Sequence, residues 1–107
     1  MSNYIIAYHG SLQSEGPEAD AAGMAKFMAW IGGLGEAVVN PGTPLIGARI
    51  VRPGGAIEEA SPEVLNGFSV VKAASFEAAL AMAQACPYLE KGPVQVAEMM
   101  DMGGAQT

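Results

Sequence analysis

From Asn3 to His9 apolar residues occupy both sides of an extended run, with Tyr4, Ile6 and Tyr8 on one side and Ile5 and Ala7 on the other. A strand wet on one face alternates more cleanly, so the pattern predicts a strand covered on both faces. Gly10 to Pro17 reads as a loop. Pro17 then leads into a helix whose first turn carries Glu18 and Asp20, where acids offset the helix dipole. Helical spacing predicts a buried stripe of Gly23, Met24, Phe27, Trp30, Ile31 and Leu34. Gly32-Gly33-Leu34-Gly35 ends it, because glycine adopts a left-handed cap without steric cost. Glu36 to Asn40 predicts a second strand running into Asn40-Pro41-Gly42-Thr43-Pro44, a segment of turn or extended chain. Leu45 to Arg52 reads as its continuation, Pro53-Gly54-Gly55 as a hairpin turn, and Ala56 to Glu59 as a short returning strand. Ala60 to Asn66 reads as loop, with Asn66-Gly67 turning into the next strand.

The stretch from Gly67 to Met100 carries a complete strand, helix, strand unit. Phe68 to Ala73 is β-rich and again apolar on both sides. Ser75 is placed to cap a helix whose stripe is Phe76, Ala79, Leu80 and Ala83, with Glu77, Ala81 and Gln84 opposite. Cys86-Pro87 stops that helix, since proline lacks the amide hydrogen and disfavours helical geometry in the residue before it. Val94 to Met99 is the return strand. The order is therefore βαβ, a hairpin insertion, then βαβ, which predicts a ferredoxin-like α+β sandwich with both helices on one face of the sheet. Its second face is left apolar, and the economical cover is another copy packed sheet on sheet as a homodimer.

With 107 residues the chain suits one domain, over residues 1–102, followed by a tail from Gly103 with nothing to anchor it and expected to be mobile. Charge narrows the partners. Eleven acids against five bases give a formal net charge of -6, and Arg49 and Arg52 form the one close basic pair, so neither nucleic acid nor an anionic membrane surface is an expected partner. No apolar stretch approaches the ~20 residues of a membrane helix. Tyr4-Ile5-Ile6-Ala7 lacks the basic flank and long apolar core of a secretory signal. The single cysteine, Cys86, has no internal disulfide partner and fits a reducing compartment, so the expected location is cytoplasmic.

Several of these segments carry a resemblance. The opening strand Tyr4-Ile5-Ile6-Ala7-Tyr8, the helix end Trp30-Ile31-Gly32-Gly33-Leu34-Gly35, and Asn40-Pro41-Gly42 are joined by Phe76-Glu77-Ala78-Ala79, Cys86-Pro87-Tyr88-Leu89 and Val94-Gln95-Val96-Ala97-Glu98. From Tyr4 to about Met100 the chain resembles the YCII-related family, small proteins of the dimeric α+β barrel superfamily. For members that look enzymatic, the resemblance implies a His and Asp pair, the Asp just before the Pro-Tyr at the end of the second helix and the His on the first helix. Here Cys86 stands before Pro87-Tyr88 and the first helix has no histidine. The Asp-Gly-Pro-Phe motif of a sister group is also missing, its nearest counterpart being Asn66-Gly67-Phe68.

Among the candidates for chemistry, His9 is the only histidine and sits where the first strand meets a glycine. It suits either a general base working near pH 7 or a strand-end residue bonded to backbone. Cys86 is either a nucleophile or a small core residue, and its place at a helix C-terminus opposes a thiolate. Tyr8, Trp30 and Tyr88 suit an apolar ligand cleft with polar tips, or core packing. Asn40 fits the turn better than a ligand, and Arg49 is either a carboxylate binder or paired with a nearby acid. One His and one Cys far apart make no zinc pattern, and the Gly32 to Gly35 run ends a helix instead of opening one, so neither a metal nor a nucleotide cofactor is expected. The sequence therefore points to a homodimer binding a small ligand. The competing reading is a cofactor-free lyase or monooxygenase-like enzyme acting on an aromatic or carbonyl compound with His9 as base.

Overall fold

The computed structural model describes residues 1–9, 16–45, 47–59, 65–90 and 92–100. Four strands form one antiparallel sheet, and two helices cover one side of it. In chain order they are β1 (Ser2–His9), α1 (Pro17–Leu34), β2 (Val38–Pro44), β3 (Arg49–Val51), β4 (Ile57–Glu59), β5 (Leu65–Ala73), α2 (Phe76–Gln84) and β6 (Val94–Glu98). The sheet order β2-β5-β1-β6 is that of a ferredoxin-like α+β sandwich, and β3 with β4 forms the separate hairpin insertion.

Register divides the residues between the two faces. Tyr4 lies opposite Val71, Ile6 opposite Ser69 and Tyr8 opposite Gly67, and these pairs face the helices. There Tyr4, Ile6, Tyr8, Val71 and Ala73 pack with Ala79, Ala83 and Cys86 into the core, flanked by Phe27, Trp30 and Leu34 of α1. Ile5 opposite Val70, Ala7 opposite Phe68, and Ala97 opposite Ile5 fall on the other face, which no helix covers. Both β1 and β5 are thus apolar on two sides, as the sequence pattern requires.

Local chemistry explains most boundaries. Ser75 Oγ accepts the Ala78 amide hydrogen at 3.1 Å, so α2 has its cap. Gly35 takes φ 56° and ends α1, with its amide donating to the Gly32 carbonyl. Several expectations need correction. Gly35–Ala37 closes a short 3₁₀ turn, so β2 starts at Val38 and not at Glu36. Asn40 to Pro44, read as turn or extended chain, takes the extended alternative as part of β2, and its two prolines are tolerated because β2 is an edge strand with two register shifts. Leu45 does not simply continue that strand: its amide donates to the Asn66 carbonyl at 2.7 Å, and β3 pairs with β4 alone. Asn66-Gly67 is no turn but part of β5, where a bulge opposite Tyr8 and His9 absorbs the extra residue. No described residue of α1 is buried, and Met24 of the expected stripe is 53% exposed. Of the expected loops, Gly10 to Pro17 and Ala60 to Asn66, residues 10–15 and 60–64 lie outside the described residues, as does the tail from Gly103, while Pro17 opens α1 and Leu65 begins β5.

The hairpin stands apart from the core. All of Arg49–Val51 and Ile57–Glu59 is exposed, and two ion pairs, Arg49 to Glu59 at 3.5 Å and Arg52 to Glu58 at 3.0 Å, lace it together. Exposed pairs of this kind add little stability, so its backbone ladder and turn set its form. Gly54 and Gly55, both at positive φ, make the reversal possible.

Candidate functional site

A cleft of about 200 Å³ opens at the end of the sheet where β1 stops. Met24 and Phe27 of α1 form one wall, and Tyr8 and His9 of β1 form the floor with Tyr88 from the 3₁₀ turn Pro87–Glu90. The opposite wall is Pro41, Gly42 and Thr43 of β2 with Asn66, Gly67 and Phe68 of β5. Among the described lining residues there is no Lys, Arg, Asp or Glu. A cleft so lined offers an apolar bed with few polar contacts and no fixed charge.

The aromatic side chains hold one another in place. Tyr8 lies 4.9 Å from Tyr88 and 6.2 Å from Phe27 between ring centres, and Phe27 lies 5.3 Å from Tyr88. Edge-to-face and tilted contacts of this kind fix ring orientation as well as burying area. Trp30 stands behind this group, 5.9 Å from Phe27, and its Nε1 donates to the Met82 carbonyl at 3.0 Å. It ties α1 to α2 and does not line the cleft.

A chain of polar contacts links the aromatic floor to the β2 wall. The Tyr8 hydroxyl donates to Ser69 Oγ at 2.6 Å, and the Ser69 hydroxyl donates to the Pro41 carbonyl at 2.6 Å. Asn40 Oδ1 accepts the Gly42 amide hydrogen at 2.8 Å, which shapes the β2 bend. His9 places its ring Nε2 3.2 Å from Gln95 Oε1, while its own amide donates to the Pro93 carbonyl at 3.0 Å. The histidine is held from both ends, by neutral partners.

Titration points the same way for the buried acids. Burial pushes the Tyr8 phenol well above its ordinary range, against a smaller lowering by the Ser69 bond. Burial also raises the Tyr88 phenol and the Cys86 thiol. Cys86 is 3% exposed in the core beside α2 and is not part of the cleft wall. A buried thiol with a raised pKa carries little thiolate, so iodoacetamide at pH 7.5 should modify it at less than about one-tenth the rate of free cysteine. Complete labelling within minutes, followed by intact mass, would contradict this environment.

Of the residues singled out from sequence, the fold brings Tyr8, His9 and Tyr88 to one cleft and leaves Trp30 and Cys86 behind it. Phe27, Met24, Gly42 and Phe68 line the cleft without having been expected there, and Ser69 links its floor to its β2 wall. Pro41-Gly42 and Asn66-Gly67-Phe68 were visible as motifs, but only the pairing of β2 with β5 makes them one wall. Among the described residues no cluster of His, Cys, Asp or Glu has the makings of a metal site.

The YCII-related domain profile matches residues 1–103. The chain belongs to the YCII-related family. Among solved structures it is similar to 5-chloro-2-hydroxyhydroquinone dehydrochlorinase (TftG) from Burkholderia phenoliruptrix AC1100, in complex with 2,5-dihydroxybenzoquinone. The two share 14% identity with a TM-score of 0.60, over 92% of this chain and 93% of that one. At that identity the likeness is one of fold. No curated protein matches the chain significantly. Among the described residues no helix of this YCII-related protein is long and apolar enough to cross a membrane.

Proposed function

We propose that this YCII-related protein is a homodimer that binds a small, uncharged aromatic or carbonyl compound in the cleft between helices and sheet. The observation that carries the reading is the cleft itself: about 200 Å³, lined by the rings of Tyr8, Phe27 and Tyr88 and by the Pro41-Gly42 and Gly67-Phe68 segments, and free of fixed charge among the described lining residues. A cavity of ~150 Å³ already holds a benzene ring, so a single substituted ring suits this space. A ring ligand in the similarly folded dehydrochlorinase supports the same class of occupant. The uncovered sheet face supports the dimer: Ile5, Ala7 and Ala97 stand there apolar and half-buried, fit to be covered by a second copy. With its one cysteine reduced and buried, we place the protein in the cytoplasm.

The enzymatic reading has one observation in its favour, His9 at the cleft edge as a base. Against it, the partner of the His9 ring among the described residues is the neutral Gln95 amide and not a carboxylate that would orient it as a base. Binding therefore leads.

Native mass spectrometry and an amide NMR titration with hydroquinone test the proposal together. A species of twice the 10.9 kDa chain mass is expected, and Ile5→Lys should reduce it to one copy. Hydroquinone should shift the Gly42 and Gly67 amides first and remain chemically unchanged. A monomer removes the dimer; absence of shifts at the cleft removes the ligand site. Conversion of the ring that stops in His9→Ala would favour the enzyme instead.

A further inference from the structure

The hydrogen-bond chain from Tyr8 on the cleft floor to Pro41 in its wall has a fixed direction. A carbonyl oxygen only accepts, so the Ser69 hydroxyl spends its single proton on Pro41. The contact between Tyr8 and Ser69 must then be carried by the Tyr8 proton. Ser69 is fully buried, so no solvent reaches it to offer a substitute partner. Tyr8 Oη is left with lone pairs and no free hydrogen. Nearby, the Gly42 amide hydrogen is likewise committed, to Asn40.

We propose that Tyr8 acts as an acceptor-only contact in the cleft and so selects ring ligands that carry a hydrogen-bond donor, a phenolic hydroxyl or a ring amine, over equally sized rings that carry none. The inference rests on the cleft being a ligand site and specifies what it prefers. A donor placed against Tyr8 gains a bond to a hydroxyl already polarised by donation into Ser69 and Pro41. A carbonyl or ether oxygen placed there meets lone pairs on lone pairs, and would bind only by breaking the chain. Burial keeps the Tyr8 phenol protonated through neutral pH, so this order of protons persists over the range in which the protein would be assayed.

The experiment is an amide NMR titration with hydroquinone and 1,4-difluorobenzene, rings of nearly equal footprint of which only the first donates. On the parent protein hydroquinone should bind at least about tenfold more tightly, the effect of one well-made bond. In Tyr8→Phe the preference should fall to within about twofold. That variant leaves Ser69 bonded to Pro41 and keeps the ring packing, so its fold is retained. Equal affinities in the parent would overturn the donor preference while leaving the cleft as a site. A preference that survives in Tyr8→Phe would assign it to another residue and also overturn the proposal. If neither ring shifts the cleft amides, the ligand site itself is wrong and this inference falls with it.

Discussion

Replacing Gly42 by alanine should destabilise the protein by about 3 kcal/mol or more and abolish ring binding. Two causes add. Gly42 has φ 102°, a conformation that side-chain-bearing residues rarely adopt. Its missing Cβ would also overlap the Phe68 carbonyl oxygen and lie 2.6 Å from the Phe68 carbonyl carbon. Both are backbone atoms of β5, so relief requires moving one strand away from the other and not merely turning a side chain. Because Gly42 and Phe68 line the same wall, that movement opens the cleft. Urea unfolding monitored by Trp30 fluorescence measures the loss, and a shift below about 1 kcal/mol would show that β2 does not approach β5 as closely as described. Against a total of about 5–15 kcal/mol for a domain of this kind, the expected change is a large fraction of the stability.

The second large effect belongs to Ser69. Ser69→Ala should cost about 2–3 kcal/mol, whereas Tyr8→Phe should cost only about 1. The difference comes from position in the chain of bonds. Ser69 is the middle member, so its removal deprives the Tyr8 hydroxyl of its acceptor and the Pro41 carbonyl of its donor. Tyr8 is the terminal donor, and its removal leaves Ser69 still bonded to Pro41. An unsatisfied buried group is costly, while a lost bond that strands no donor is cheap. Denaturant unfolding of both variants decides the matter: if Tyr8→Phe proves as costly as Ser69→Ala, the bonds do not run in the stated order and the donor selectivity argued for the cleft loses its basis.

Neither effect is visible in the sequence at these positions. Gly42 sits in an Asn-Pro-Gly-Thr-Pro run that reads as turn or extended chain, and Ser69 reads as a polar interruption in a β-rich strand. Each acquires its role from a neighbour far along the chain, Phe68 in one case and Tyr8 in the other. Tyr8 and Tyr88 are legible as candidates because a tyrosine joins an apolar ring to a polar tip, and Tyr88, next to a proline, is the less easily explained by core packing. Trp30 and Cys86 were equally conspicuous in sequence, yet their surroundings make them structural: the indole hydrogen is used on Met82, and the thiol is buried against α2.

What the sequence determined by itself was the order of elements and the two-sided character of the central strands. Period-two and helical spacing are local properties, and so are the Ser75 cap, the Gly35 terminator and the stop at Pro87. These suffice for a ferredoxin-like protomer; the family resemblance rests on particular segments such as Cys86-Pro87-Tyr88-Leu89 and Val94-Gln95-Val96-Ala97-Glu98. The tertiary structure alone decided where β2 begins, that its prolines lie in a sheet edge, and that Asn66-Gly67 is a bulged strand segment. It alone placed Phe27, Gly42 and Phe68 around Tyr8 and fixed the direction in which the Tyr8 proton points. The physical reason is that register and hydrogen-bond direction are set by contacts between residues some tens of positions apart, and a pattern read within one element carries no information about which partner that element will meet.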